Sequence, residues 1–348
     1  MKAFVMKDIG KVGFMEKPIP EPGPDDAIIK STAALVCTSD VHTVGGGLGV
    51  FVDRTLGHES VGTIYKLGSA VKGLEIGQRV AINAVTPCFK CDNCLSGYTS
   101  QCQGLMGGYK FTFQKDGTFA EYFHVNDAEA NVVPIPDSIS DDAALYTTDM
   151  MSTGFMGAEH ANIPLGGTVA IFGQGSVGLM ATAGAKLLGA GLIIAVESIP
   201  NRQEMAKSFG ADVIVDYTKV DPVEEILRLT NGIGVDSAIE ALGLQVTFEN
   251  CIKATKPGAT ISNVGYHSGE FRQIPNLAWG LGMSEKTIRT GLCTGGKVRM
   301  QRLLRLIETG KIDPTPMTTH RFKFEEADKA LDLMKSKEDN VIKPMLIF

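Results

Sequence analysis

The chain has 348 residues, of which 44% are hydrophobic and 21% charged, and a net charge of -6. That length exceeds the roughly 250–300 residues one core serves, so two domains are expected, and the acidic balance without a basic run argues against nucleic acid or an anionic membrane as partner. The opening Met1-Lys2-Ala3-Phe4-Val5-Met6-Lys7-Asp8 interrupts its apolar residues too early for a secretory leader, and the most apolar region, 168–197, carries Lys186 and many glycines, so no membrane span is expected.

In chain order, the first 150 residues hold short β-type runs bounded by turn signals, such as Ala27-Ile28-Ile29-Lys30, Gly62-Thr63-Ile64-Tyr65 and Arg79-Val80-Ala81-Ile82, which predict a barrel-like β domain. Within it, Cys37-Thr38-Ser39-Asp40-Val41-His42 and Gly57-His58-Glu59-Ser60-Val61-Gly62 supply a thiol, a hydroxyl and two imidazoles, and zinc ligands are suspected among them. Next comes Cys88-Phe89-Lys90-Cys91-Asp92-Asn93-Cys94, then seven residues and Cys102, while Cys37, Cys251 and Cys293 are scattered singly. Tetrahedral zinc takes four thiolates at about 2.3 Å, and Cys-x-x-Cys lets one tight turn point two sulfurs inward. Such a site is closed to substrate and therefore structural. Disulfide partners and an iron–sulfur cluster are the rival readings; the long last gap and the missing Cys-Pro argue against the cluster. A reducing cytoplasm fits these thiols.

From about residue 151 the rhythm becomes strand, glycine turn, helix. Thr168-Val169-Ala170-Ile171-Phe172 leads to a helix over 176–188, then Leu192-Ile193-Ile194-Ala195-Val196, Val213-Ile214-Val215, Asp236-Ser237-Ala238-Ile239 and Thr260-Ile261-Ser262-Asn263-Val264. This alternation predicts a parallel sheet flanked by helices. A helix is expected over 296–308 and a final strand over 341–348.

Gly173-Gln174-Gly175-Ser176-Val177-Gly178 fits the dinucleotide fingerprint, in which glycines permit a tight turn, close pyrophosphate approach and close helix packing. The preceding apolar strand and following helix strengthen it, as does Glu197 at the end of the next strand, where an acid accepts ribose hydroxyls. That carboxylate would repel the extra phosphate of NADP, so NAD is favoured; Arg202, five residues on, could offset such a phosphate.

Gly57-His58-Glu59, followed by Gly62, Gly68 and Val71, matches the signature of the zinc-dependent medium-chain alcohol dehydrogenases, which the chain resembles over its full length. Asp149-Met150-Met151-Ser152-Thr153-Gly154-Phe155 and the stretch from Leu292-Cys293 look like the tetrameric secondary alcohol dehydrogenases. The resemblance implies an α/β chain: a discontinuous GroES-like β-barrel catalytic domain over 1–150 and 293–348, with its zinc lobe near 86–104, and a doubly wound parallel (Rossmann) cofactor domain over 151–292.

It further implies that Cys37, His58 and Asp149 hold a catalytic zinc, Asp149 otherwise reading as a helix cap. Ser39 would hydrogen-bond the substrate oxygen and start a proton relay through the cofactor ribose to His42, and Glu59 would orient the metal site. Without the family, Ser39 is a turn hydroxyl and His42 a surface histidine. Ala84, Val85, Tyr109, Tyr266, Leu292 and Cys293 are the pocket candidates, forming an apolar site for small alcohols and ketones. The chain carries Glu197-Ser198-Ile199 where NADP-using relatives tend to have Gly-Ser-Arg, yet keeps Tyr217 near the adenosine, and its cysteine comb is complete where several relatives have lost it. Two zincs per chain, NAD and a homotetramer are thus expected. A polyol or 2,3-butanediol dehydrogenase and a non-catalytic NADH sensor are the alternatives.

Overall fold

A computed structural model describes residues 1–348 and divides them into two compact units, Met1–Ser152 with Cys293–Phe348, and Thr153–Leu292. The first is built on a seven-stranded sheet. Its order is Thr318–Lys323, Lys343–Ile347, Ala27–Leu35, Ser60–Leu67, Arg79–Ile82 and Val132–Pro134, with Tyr122–Val125 also paired to Ala27–Leu35. All pairs are antiparallel except Thr318–Lys323 with Lys343–Ile347.

Ala27–Leu35 is buried along nearly its whole length, because both faces pack. On one side lie Ile29, Ile64, Val80, Ile82, Phe111 and Phe123, and on the other Phe4, Ala34, Leu56, Phe119, Leu331 and Leu346. This strand also sets the register of the candidate site. Leu35 N–H donates to Glu59 O and Val36 N–H to Pro344 O, so the end of one strand and the starts of its two antiparallel neighbours lie level. Cys37, Glu59 and Lys343 are thereby delivered to one edge of the sheet.

The second unit is a six-stranded parallel sheet in the order Val213–Val215, Leu192–Val196, Thr168–Phe172, Val235–Glu240, Thr255–Asn263 and Thr287–Thr290. Helices Ser176–Leu187, Pro200–Phe209, Pro222–Leu229 and Gln245–Ala254 connect the strands. This is the doubly wound order, in which ligands bind beyond the carboxyl ends of the strands where the order reverses. The glycine turn leaves Thr168–Phe172 at that point.

Gly62 marks the tightest backbone approach in the first sheet: a Cβ there would stand 2.1 Å from Lys30 O and 2.8 Å from Ile29 Cγ2. Gly62→Ala should therefore force the two central strands apart and lower stability by about 1–3 kcal/mol, read as a lower melting temperature. An unchanged melting temperature would show that the strand yields without strain.

Candidate active site

Cys37 follows the central strand in extended conformation and begins the helix Thr38–Val44. Its N–H donates to Asp40 Oδ2 at 2.8 Å, which ties the first turn together. The other oxygen of Asp40 lies 3.4 Å from His58 Nδ1. With that nitrogen engaged, Nε2 is aimed at the remaining groups, 3.6 Å from Asp149 Oδ2 and 3.7 Å from Glu59 Oε1. His58 is set there by Gly57, whose φ of +87° and whose neighbour Phe119, 2.2 Å from any Cβ, leave room for glycine alone. Asp149 stands immediately before the helix Met150–His160. One donor atom each from Cys37, His58, Glu59 and Asp149 lies within 4.8 Å of all the others.

Such a cluster attracts positive charge. Burial pushes the Glu59 carboxyl well above the ordinary range, against the pull of Lys343, whereas the His58 imidazole, which burial alone would lower, is raised well above its usual value by Asp40 and Asp149. Burial would also raise the Cys37 thiol, but Lys343 and His58 bring it down to about 7. Glu59 Oε2 is buried without a hydrogen-bond partner. A thiolate, an imidazole and a carboxylate with donor atoms within 4.8 Å of one another fit a zinc ion, which accepts this mixture of donors.

Glu59, expected to orient the metal site, lies beside the other donor atoms. Asp40 fixes the imidazole, as hydrogen-bonded carboxylates do for metal-binding histidines, whereas Glu59 belongs to the donor cluster and is bound from behind by Lys343, whose Nζ donates to Oε1 at 2.5 Å. Both side chains are fully buried. Breaking such a pair leaves a buried charge uncompensated, typically at about 3–5 kcal/mol. Neither Asp40 nor Lys343 was picked out from the sequence. Cys37 and Asp40, three residues apart at a helix start, are a capping signal that could have identified the former; nothing local marks the latter.

Ser39 Oγ lies 3.2 Å from His58 Nε2, beside the donor cluster. His42 follows three residues later on the same helix, and desolvation with the nearby charge of Lys337 lowers its pKa. Ala84, Val85 and Cys293 form one buried cluster, with Cys293 Sγ donating to Asn83 Oδ1 at 3.5 Å. Tyr109 is exposed, packed edge-on to Phe113. Tyr266 and Leu292 belong to the second unit, both exposed.

The sulfurs of Cys88, Cys91, Cys94 and Cys102 also gather within 4.8 Å. Cys91 and Cys102 are 4.0 Å apart, close to the roughly 3.8 Å that sulfurs 2.3 Å from a tetrahedral centre must have. This spacing suits one ion and leaves no room for an iron–sulfur cluster. Backbone N–H groups of Cys88 and Gly104 point at Cys102 Sγ, that of Gln103 at Cys91 Sγ and that of Lys90 at Cys88 Sγ, each at 3.3–3.4 Å. N–H groups from Cys94 and Gln103 lower the Cys91 pKa to about 6, whereas burial raises Cys94 to about 12. Four thiolates at such separations require a cation, and the donor set fits zinc.

In the second unit, Gly173 has φ +88°, and a Cβ on Gly178 would lie 1.9 Å from Gly173 O. A Cβ on Gly175 would meet nothing within 4 Å, and the helix begun at Ser176 has no side-chain cap. As at any helix start, its first N–H groups have no intrahelical partner, the arrangement that a pyrophosphate site uses. Gln174 holds the turn by accepting from Thr182 Oγ1 at 2.9 Å. Glu197 Oε1 accepts from Ser198 and Ile199 N–H, and Oε2 from Gln174 N–H, so the acid is buried and the turn is fastened to the next strand. Ser198 Oγ donates to Tyr217 OH at 2.8 Å.

Comparison with known proteins agrees with this architecture. Residues 23–137 match the alcohol dehydrogenase GroES-like domain, and residues 176–309 the zinc-binding dehydrogenase family. The chain is 48% identical to an NADP-dependent isopropanol dehydrogenase of Thermoanaerobacter brockii, over 100% of this chain and 99% of the relative, and 44% identical to an alcohol dehydrogenase of Cupriavidus necator, over 99% and 97%. An alcohol dehydrogenase structure from Thermus sp. ATN1 superimposes with a TM-score of 0.90 at 29% identity, covering 100% of this chain and 99% of that one. The chain thus belongs to the zinc-dependent medium-chain alcohol dehydrogenases. No helix is long and apolar enough to cross a membrane.

Asp40 gives this site its most direct test. Asp40→Asn keeps the shape but removes the charge that holds the His58 ring, and zinc affinity should fall about 10–100-fold, measured by competition with a chelator. Unchanged affinity would mean that the imidazole is positioned without Asp40.

Proposed function

We propose that this protein interconverts small secondary alcohols and their ketones, with NAD as the hydride carrier. The observation that carries this reading is the meeting of Cys37, His58 and Asp149 donors beside the Ser39 hydroxyl. The isopropanol in the name of the T. brockii relative supports the substrate class, as does the small, apolar cluster of Ala84, Val85 and Cys293.

Cys37, His58 and Asp149 would hold the zinc, the thiolate and carboxylate matching its two positive charges. When bound, zinc supplies a Lewis acid for the alcohol oxygen and the nicotinamide a hydride acceptor. Ser39 Oγ takes the hydroxyl proton from the alcohol and passes it towards His42, which lies on the same face of the helix at i+3. The lowered pKa of His42 favours release of that proton to solvent over its retention. Cys88, Cys91, Cys94 and Cys102 would hold a second, structural zinc.

The choice of NAD departs from the NADP named for the T. brockii relative. It rests on Glu197, whose buried carboxylate keeps one lone pair of Oε2 for a ribose hydroxyl. A phosphate charge about 4 Å away would be opposed by about 4 kcal/mol at an effective dielectric near 20, roughly three orders of magnitude in affinity. Arg202, whose Nη1 faces Glu197 Oε2 at 3.9 Å, offsets part of this repulsion, so the figure is an upper bound. Ser198 and Tyr217 would border the adenosine, and the first turn of the Ser176–Leu187 helix would take the pyrophosphate.

Assembly as a homotetramer completes the proposal. It is supported by exposed Phe271, Leu277, Leu281 and Met283, which precede the edge strand Thr287–Thr290 of the parallel sheet.

Initial rates with primary, secondary and vicinal-diol substrates, each with NAD and NADP, test the reading. Secondary alcohols with NAD should give the highest kcat/KM, and Glu197→Gly with Ile199→Arg should move preference towards NADP. A vicinal diol as best substrate would overturn the substrate class, and unchanged cofactor selectivity in the double variant would remove Glu197 from the argument.

A further inference from the structure

The glycine turn divides the parallel sheet into two sides. It leaves Thr168–Phe172, and Glu197, the candidate ribose ligand, follows the neighbouring strand Leu192–Val196. The adenosine side therefore lies over Leu192–Val196 and Val213–Val215, and the half of a dinucleotide that carries nicotinamide falls to the other side, beyond Val235–Glu240 and Thr255–Asn263. Two loops leave the sheet there, 241–244 and 264–267. Leu242 closes on the turn itself, since a Cβ on Gly173 would stand 2.5 Å from its Cγ. The loops also touch each other: a Cβ on Gly243 would lie 1.9 Å from Tyr266 O, and one on Gly265 would lie 2.3 Å from Gly243 N.

A buried carboxylate joins them. Glu240 is fully buried at the end of its strand. Its Oε1 accepts from the N–H groups of Leu242 at 3.0 Å and Gly243 at 2.9 Å, and from Thr247 Oγ1 at 2.6 Å. Oε2 lies 3.4 Å from His267 Nε2, in the second loop. The imidazole is fixed on two further sides, with Nε2 2.7 Å from Asn263 Oδ1 and Phe248 edge-on at 5.9 Å between ring centroids. Asn263 Nδ2 donates to Gly265 O at 3.1 Å, so Oδ1 faces the imidazole and Nε2 carries the proton. Burial holds the His267 pKa below its ordinary value against the pull of Glu240, and the ring serves as a neutral donor shared between Asn263 and Glu240.

We propose that Glu240 and His267 are positioning residues, a latch that ties the two loops together and sets the wall on which the nicotinamide half of the dinucleotide rests. The groups of the latch lie on the far side of the glycine turn from Glu197, so it acts on one half of the cofactor and not on the other. The inference rests on the dinucleotide site proposed above, but not on the choice between NAD and NADP.

The test compares NADH with ADP-ribose, which carries the adenosine and the pyrophosphate but no nicotinamide; for an enzyme that prefers NADPH, the 2′-phosphorylated pair gives the same comparison. His267→Phe keeps a ring against Phe248 and removes the N–H. It should weaken NADH binding about ten-fold, the scale of a hydrogen bond lost at a buried carboxylate, and leave ADP-ribose within about two-fold of wild type, both read by titration calorimetry. His267→Gln, which can place an N–H where Nε2 stood, should restore NADH binding. A residue that merely supports the fold would, on removal, weaken both ligands alike. Equal weakening, unchanged NADH binding or no restoration by glutamine overturns the proposal. If His267→Phe is not obtained folded, Thr247→Val, which removes a donor to the same carboxylate without touching the imidazole, decides by the same two affinities. Should the wild-type enzyme bind neither ADP-ribose nor its 2′-phosphate, the dinucleotide site itself is wrong, a result separable from either outcome.

Discussion

Three acidic groups and an imidazole cannot share a buried pocket of this size without a cation. Cys37, Glu59, Asp149 and His58 bring their donor atoms within 4.8 Å of one another, and in such surroundings an uncompensated charge is costly. The raised pKa values of Glu59 and His58 express the same constraint, since a proton is the simplest cation that can enter. The rest of the first unit supplies the framework that makes this crowding tolerable.

That framework is the strand Ala27–Leu35. Its backbone groups fix Glu59 on one flank and Pro344 on the other, so residues 284 positions apart become hydrogen-bonded partners. Burial of the strand on both faces makes its register hard to slip, because a shift of one residue would exchange the two faces throughout. Precision at the donor atoms is therefore inherited from apolar packing several residues away. Gly57, closed in by Phe119, and Asp40, shared between the Cys37 N–H and the His58 ring, convert that register into side-chain direction.

What could be read from the sequence follows the range of each interaction. The parallel strands from Thr168 to Asn263 and the turn at Gly173 were legible because their signals are local: apolar runs of strand length, then glycines at positions where a Cβ has no room or φ is positive. The cysteine comb is equally local, its spacing alone suggesting a cation site. Asp149 was legible only through resemblance, since a lone acid before a helix reads as a cap. Lys343 was not legible at all: it looks like one polar residue in a terminal strand, and its meaning arises from burial beside Glu59. Tyr109, Tyr266 and Leu292 show the converse, apolar or aromatic residues whose exposure no local pattern reveals.

The two donor clusters would divide the labour chemically. In the lobe, four sulfurs around one ion would leave no position for substrate. At the other site, a mixed set of Cys37, His58 and Asp149 in place of four thiolates would lower the charge and leave one position free. Crystals measured on either side of the zinc absorption edge test this most directly. The account predicts two anomalous difference peaks per chain, one among Cys88, Cys91, Cys94 and Cys102 and one bounded by Cys37, His58 and Asp149. A peak in the lobe alone, from protein kept in zinc and free of chelators, would contradict it.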